Sequence, residues 1–215
     1  GVFSKGELDT GTRLLLDALP DVYGDVLDLG CGWGAIGVAV KKKYPAAHVT
    51  MVDVNRRALE LCRFNAVRNG ITAECLESDG MAEVMERTFD FIITNPPIRA
   101  SKPVIYRMFA DAASRLNPGG ALYLVIRKQQ GAESCMSIAF VAEEPFQVSV
   151  RVFDNLGHFI SQYQESLSES AFAAAISDGS SGTCSATVNG VAKSSPAVTS
   201  GFVLATVKMY PVSQT

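Results

Sequence analysis

The sequence predicts a doubly wound α/β sheet, and three observations lead to this prediction. Apolar runs with the length of buried strands alternate with helix-like segments from residue 25 to residue 126. A glycine-rich turn, Gly30 to Gly34, follows the first apolar run and opens the next helix. The second run ends in Asp53, at the spacing that brings an acid beside such a turn in a parallel sheet.

The predicted elements follow one another in a regular order. Helices are expected at 13–19, with Thr10 or Thr12 as the N-cap, at 35–44, at 55–69 and at 104–116. Strands are expected at 25–29, 49–54, 73–76, 89–94 and 121–126, with a turn at 117–120. The third helix is amphipathic, with four inward positions, Ala58, Leu59, Cys62 and Ala66, and Gly70 ends it.

The pattern changes after residue 131. A further helix is expected at 133–141 and a strand at 146–153. Residues 165–215 hold only five charged residues and are rich in serine, alanine, threonine and valine. We therefore expect a domain over 1–164 and a β-rich or irregular C-terminal appendage over 165–215. The core of the domain is then expected to need nothing beyond Gln164, unless an alternating run such as that at Phe202 adds an edge strand.

Composition narrows the classes of function. A net charge of −3 provides no overall attraction to nucleic acid, so any RNA contact needs a local basic patch. The five cysteines form no CxxC pair and there are only two histidines, so neither a metal site nor a disulfide framework is predicted. No apolar run approaches the length of a membrane span. A cytoplasmic protein is expected.

The glycine turn predicts a nucleoside cofactor without deciding which one. The run Gly32-Trp-Gly34-Ala-Ile-Gly37 matches the dinucleotide pattern, and glycine lets backbone approach a ligand closely. A carboxylate at Asp53 suits the ribose hydroxyls of NAD and of S-adenosylmethionine equally well. A loop that only packs a helix on the sheet is the structural alternative.

Several motifs together resemble the small-subunit ribosomal RNA methyltransferase C family, in particular its small single-domain bacterial members. They are GVFSKGELDTGTRLLL, VLDLGCGWGAIG, MVDVN, the SDG turn, NPPIRASK and LNPGGALYLVIRKQQG. The resemblance implies the Rossmann-like sheet of class I methyltransferases and methyl transfer from S-adenosylmethionine to the exocyclic amine of a guanine in 16S rRNA. It does not extend to residues 165–215. Family members carry a further N-terminal segment, so the chain is expected to be truncated there.

The resemblance also implies roles for individual residues. In Asn95-Pro96-Pro97, the side-chain carbonyl of asparagine and the next backbone carbonyl would accept the two amine hydrogens. The implied cofactor-binding residues are Phe3, Ser4, Asp28, Gly30, Gly32, Gly34, Asp53, Val54, Asp79, Gly80 and Asn95. Ile98 stands where many relatives carry a base-stacking aromatic, and Arg99 and Lys102 are expected to contact RNA phosphate. Asp79 as a turn former and Phe3 as a core residue are the plain alternatives.

Other classes of function remain open at this stage. The asparagine and proline motif also serves methyltransferases of protein glutamine or of small molecules. A dehydrogenase is disfavoured because no candidate hydride-transfer residue and no second substrate domain is recognisable. A non-catalytic domain, truncated or fused to a β-rich binding tail, is the remaining alternative. The expected partner is ribosomal RNA or the small ribosomal subunit, with no membrane and no metal.

Overall fold

A computed structural model of the chain describes residues 8–96, 102–128, 136–140, 146–153, 156–167, 172–178, 183–188, 191–197 and 201–209. Its helices are α1 (Thr10–Ala18), α2 (Ala35–Lys43), α3 (Arg56–Arg68) and α4 (Lys102–Ala113). Its strands are β1 (Asp25–Leu29), β2 (His48–Asp53), β3 (Glu74–Glu77), β4 (Phe89–Thr94), β5 (Leu116–Lys128), β6 (Met136–Phe140), β7 (Phe146–Phe153), β8 (Phe159–Leu167), β9 (Phe172–Asp178), β10 (Thr183–Val188), β11 (Val191–Ala197) and β12 (Gly201–Met209).

The main sheet confirms the predicted fold class. Its order is β3-β2-β1-β4-β5-β12-β7-β8, and the five strands from β3 to β5 pair in parallel. β1 lies in the middle of this parallel half, with Val26 opposite both Val49 and Phe91. The strand order reverses direction at β1, so the ends of β1 and its neighbours form the crevice in which this class of sheet binds ligands.

The helices bury the predicted faces. In α3, Ala58, Leu59, Cys62 and Ala66 are the buried residues, as expected from the amphipathic pattern. The N-cap of α1 is Asp9, however, and not Thr10 or Thr12. The Asp9 side chain accepts a hydrogen bond from the Thr12 backbone N–H, and a carboxylate is among the best acceptors for this purpose.

The C-terminal boundary at residue 164 is wrong. β12 pairs antiparallel with β5 on one side and with β7 on the other, so Leu204 lies between Val125 and Arg151. Leu204 and Val207 are fully buried in the core. The strand is therefore an interior element of the main sheet, because both of its edges are paired and its apolar side chains are buried on the faces of the sheet.

One further expectation is corrected. The predicted helix at 133–141 is wrong over 136–140, where β6 pairs with β9 in a second sheet of order β11-β10-β9-β6. There, pairing with a distant strand decides the structure, and local propensity does not. The segment 117–120, expected as a turn, lies within the bounds of β5, but the pairing with β4 passes from Leu116 to Ala121 with a register shift, and Gly119 has a φ of 82°.

Replacing Leu204 by alanine tests whether β12 belongs to the core. Leu204→Ala is expected to lower the free energy of unfolding by about 2–5 kcal/mol, because it leaves a cavity in a buried site. Lys208→Ala, an exposed position on the same strand, is the control and is expected to change it by less than about 0.5 kcal/mol. Urea denaturation followed by circular dichroism measures both. Equally small changes would restore the boundary at residue 164.

Candidate active site

The glycine turn lies at the carboxyl edge of the sheet, where β1 and β2 end side by side. The backbone N–H groups of Gly30 and Cys31 both donate to the Val52 carbonyl, each at 2.9 Å. The Asn65 side chain on α3 donates to the Trp33 carbonyl at 3.0 Å. These bonds hold the turn against β2 and α3, so its conformation does not depend on a ligand.

Asp53 links the turn to the start of α3. Its Oδ2 accepts from the Gly32 N–H at 2.7 Å, and its Oδ1 accepts from the Asn55 N–H at 2.8 Å. Each carboxylate oxygen has a second lone pair, so both can still accept a hydrogen bond from a ligand hydroxyl. Asp53 therefore keeps acceptor capacity on both oxygens beside the glycine turn.

The glycines of the turn serve two different purposes. A Cβ at Gly30 or Gly32 would meet no atom of the structure within 4 Å, so these positions face open space. A Cβ at Gly34 would lie 2.7 Å from the Cys62 Sγ. Gly30 and Gly32 therefore border open space, whereas Gly34 allows α3 to approach the turn.

Asp28 is the most unusual titratable group near this edge. It is 1% exposed; its Oδ2 accepts from the Gly37 N–H at 2.8 Å, and its Oδ1 has no hydrogen-bond partner in the described part of the chain. Burial raises the pKa of this carboxyl to about 7; the Gly37 hydrogen bond lowers it and the charge of Asp53 raises it. The orphaned oxygen marks a place where a donor from a ligand would fit.

A cleft opens beyond Asp53 at the ends of β1 and β2. It is lined by Leu29, Gly30, Val52, Asp53, Val54, Ser78, Asp79, Gly80, Val104, Arg107, Met108 and Asp111. Val54 is 65% exposed, which is unusual for valine and provides an apolar surface for a planar ring. The Ser78 hydroxyl donates to the Gly80 carbonyl at 2.9 Å and closes the turn that carries Asp79.

Asn95 and Pro96 directly follow β4, the neighbour of β1. The Thr94 hydroxyl is buried and donates to the Leu29 carbonyl at 2.7 Å, which ties the ends of the two strands together. The Asn95 Nδ2 donates to the Thr12 Oγ1 at 2.9 Å and lies 3.4 and 3.5 Å from the two carboxylate oxygens of Asp9. The asparagine thus bridges the sheet edge and α1.

The structure brings most of the predicted residues to one edge. Asp28, Gly30, Gly32, Gly34, Asp53, Val54, Asp79, Gly80, Asn95 and Pro96 all lie at or next to the carboxyl ends of β1 to β4. Lys102 is the first residue of α4. Phe3, Ser4, Pro97, Ile98 and Arg99 lie outside the described residues, so their roles stay predictions.

Two groups of residues at this edge were not predicted. Val104, Arg107, Met108 and Asp111 line the cleft from α4, and their spacing is that of one helix face. Arg107 Nη2 lies 3.9 Å from Asp79 Oδ2 across the mouth, and both side chains are exposed. Thr12 and Asp9 reach Asn95 from α1, which no local pattern in the sequence indicates.

Comparison with known proteins identifies the family of the chain. The model of the methyltransferase small domain matches residues 1–149. The chain belongs to this family. The Bacillus subtilis protein YbxB, described as uncharacterized, is 46% identical over 140 residues, covering 63% of this chain and 70% of that protein. Ribosomal RNA small subunit methyltransferase C of Hahella chejuensis is 44% identical over 133 residues, covering 60% of this chain and 39% of that protein.

A solved relative supports the same fold. The structure of the T. thermophilus 16S rRNA N2 G1207 methyltransferase (RsmC), in complex with AdoMet and guanosine, matches with a TM-score of 0.55 and 30% identity. The match covers 63% of this chain and 42% of that one. The chain thus spans about two fifths of the length of its methyltransferase C relatives. The Rossmann-like fold of class I methyltransferases, predicted from the sequence motifs, is confirmed.

Among the described residues there is neither a membrane-spanning helix nor a metal-binding cluster. None of their helices has both the length and the hydrophobicity to cross a membrane. Nor do their histidine, cysteine and acidic side chains form a group of three or more that would hold a metal ion.

Asp28 predicts a pH dependence of stability. Its pKa rises from 3.8 to about 7 on folding, so between these values the unfolded chain has lost a proton that the folded chain retains. The contribution of Asp28 to the free energy of unfolding therefore falls as the pH rises from about 4 to about 7, and is constant above. Denaturation of wild type and Asp28→Asn across this range measures the contribution as a difference. A difference that does not change with pH would contradict the raised pKa.

Proposed function

We propose that this chain transfers a methyl group from S-adenosylmethionine to the exocyclic amine of a guanine in 16S rRNA. The observation that carries the proposal is the position of Asn95 and Pro96 at the end of β4, tied through Thr94 to the strand that leads into the glycine turn. Membership in the methyltransferase small domain family and the relative bound to AdoMet and guanosine support the same cofactor and base.

The site fits the proposed cofactor in three independent ways. Gly30 and Gly32 leave open space beside the cleft, where a side chain would otherwise fill the approach of a ligand. Asp53 retains acceptor capacity on both oxygens for a pair of ribose hydroxyls. The buried Asp28 Oδ1, which has no partner in the part of the chain that the structure describes, suits the amino group of the methionine part, which would supply the missing hydrogen bond.

The remaining contacts would hold the adenine. Asp79 is at the open end of the cleft, where its carboxylate can accept from the adenine amine, and Gly80 leaves room for the ring. Val54 supplies an apolar surface at the same end. When bound, S-adenosylmethionine supplies a methyl group made electrophilic by the positively charged sulfur.

Asn95 and Pro96 would orient the attacking amine. The amine nitrogen of guanine is a weak nucleophile because its lone pair is delocalised into the ring. The Asn95 side-chain carbonyl and the Pro96 backbone carbonyl accept its two hydrogens, which directs the lone pair at the methyl carbon and stabilises the positive charge as it develops. The N–C bond forms as the C–S bond breaks, and the surplus proton of the amine passes to water.

The RNA would approach from the side of the Asn95-Pro96-Pro97 motif. Arg99 and Lys102 follow this motif in sequence, and Arg107 is an exposed cation at the mouth of the cleft. Cations in these positions would neutralise phosphates next to the target base. Such local attraction is needed because the net charge of the whole chain is negative. The proposed partner is ribosomal RNA or the small ribosomal subunit, and such a substrate implies a cytoplasmic location.

Asp53→Ala is expected to weaken binding of S-adenosylmethionine by about 1–3 kcal/mol, because two ribose hydroxyls lose a charged acceptor. Part of the loss comes from the Gly32 N–H, which also loses its partner. Isothermal titration calorimetry measures the affinity. Asp25→Ala, an aspartate at the opposite end of β1, is the control and should bind normally. Unchanged affinity in Asp53→Ala would remove this residue from the site.

Asn95→Ala is expected to leave the affinity for S-adenosylmethionine nearly unchanged and to lower methyl transfer by about 10²-fold or more, because the lost group acts mainly in the transition state. Single-turnover transfer of a tritiated methyl group to 16S rRNA measures the rate. Asn69→Ala, an exposed asparagine on α3's C-terminal end, is the control.

The same assay tests the proposed substrate. Naked 16S rRNA, small ribosomal subunits and a protein fraction are offered in parallel, and labelled RNA is digested to nucleosides. Label in N2-methylguanosine supports the proposal. Cofactor binding with label only in protein would contradict the guanine substrate, and full transfer by Asn95→Ala would contradict the role of this residue.

A further inference from the structure

Asn95 is held by a short chain of hydrogen bonds from α1. Its Nδ2 donates to the Thr12 hydroxyl oxygen at 2.9 Å, and the Thr12 hydroxyl lies 2.6 Å from Asp9 Oδ2. Thr12 is 3% exposed, so water does not compete for its hydroxyl. These three side chains connect the N-terminus of α1 with the end of β4.

The donors and acceptors of these three side chains permit only one arrangement of hydrogen bonds. A carboxylate only accepts hydrogen bonds, so the single hydroxyl hydrogen of Thr12 is donated to Asp9. The Thr12 oxygen can then only accept from Asn95. Asn95 must therefore turn its NH₂ group toward α1, and its carbonyl oxygen forms the other arm of the amide.

We propose that Thr12 and Asp9 are positioning residues that set the orientation of the Asn95 amide for methyl transfer. This inference rests on the proposed function, in which the Asn95 carbonyl accepts a hydrogen of the target amine. With the amide reversed, an NH₂ group would face the amine and repel its hydrogens. Two residues far from the motif in sequence thus decide whether Asn95 presents an acceptor.

The start of α1, which carries Thr12, is held by further contacts. Asp9 caps α1 through the Thr12 backbone N–H at 3.1 Å, in addition to its bond with the Thr12 hydroxyl. The buried Gly11 packs against the Phe202 ring of β12, which a Cβ on Gly11 would approach to 3.1 Å. A functional group held through a second layer of fixed side chains keeps the geometry that its reaction needs.

The test compares three threonine substitutions. Thr12→Val keeps the shape of the side chain and removes the nearest acceptor for Asn95, leaving the longer contacts with the Asp9 oxygens at 3.4 and 3.5 Å. It is expected to lower single-turnover methyl transfer by about 10- to 100-fold with unchanged cofactor affinity. Thr12→Ser restores the hydroxyl and is expected to recover most of the rate. Thr10→Val, the same substitution two residues earlier at the first position of α1, is the matched control and should transfer at the wild-type rate.

Asp9→Asn provides a second variant if Thr12→Val does not fold. Asparagine caps helices as well as aspartate does, so α1 is retained. The new amide places a donor where Asp9 Oδ2 accepted, which frees the Thr12 hydroxyl hydrogen for the Asn95 oxygen. Methyl transfer is expected to fall, again without loss of cofactor affinity. Wild-type transfer in either Thr12→Val or Asp9→Asn would overturn the proposal, as would a parallel loss of cofactor binding.

A measurement without methyl transfer separates this inference from the proposed function. In nitrogen-15 NMR spectra, the Asn95 side-chain amide is assigned through its absence in Asn95→Asp. Its hydrogens are expected to exchange slowly in wild type and several-fold faster in Thr12→Val. Unchanged exchange would overturn the orientation by Thr12. Faster exchange in a protein that methylates no guanine would leave the orientation in place and refute the proposed function alone.

Discussion

The pairing of β12 between β5 and β7 is the constraint on which the rest of the structure depends. It closes the gap between the parallel half of the sheet and the β7–β8 hairpin and buries Leu204 and Val207. It also supplies the Phe202 ring on which α1 rests at Gly11. Thr12 on α1 accepts the hydrogen bond that holds Asn95. Through α1, β12 therefore supports the geometry of Asn95, although the two are far apart in sequence.

The polar groups of the site lie at the ends of the apolar parallel strands, where the sheet can accommodate them. Parallel strands buried on both faces leave free backbone and room for polar side chains mainly at their ends, and Asp53 and Asn95 lie there. Asp28 is different, because it lies within β1 and is fully buried, and one of its oxygens has no hydrogen-bond partner among the described residues. Such a group costs stability at neutral pH, and a ligand with a positively charged donor would offset that cost on binding.

Features set by neighbouring residues could be predicted from the sequence. The glycine turn, the acid that ends β2 and the buried face of α3 each follow from spacing within about 20 residues. Features set by distant pairing could not. β6 forms where a helix was expected because it pairs with β9, and β12, expected at most as an edge strand, lies in the interior of the main sheet because it pairs on both sides. In the site, the face of α4 and the contact of Thr12 with Asn95 were missed for the same reason.

The contact between Gly11 and Phe202 links α1 and β12, from opposite ends of the described chain, to the orientation of the Asn95 side chain. A Cβ on Gly11 would lie 3.1 Å from the Phe202 ring and also 3.1 Å from Asp9 Oδ1, so any larger residue requires both side chains to give way by a few tenths of an ångström. Movement of the carboxylate would disturb the cap of α1 and its bond with Thr12. Because Thr12 accepts the hydrogen bond from Asn95 and well-packed interiors transmit strain, a small displacement at Gly11 would reach the Asn95 amide.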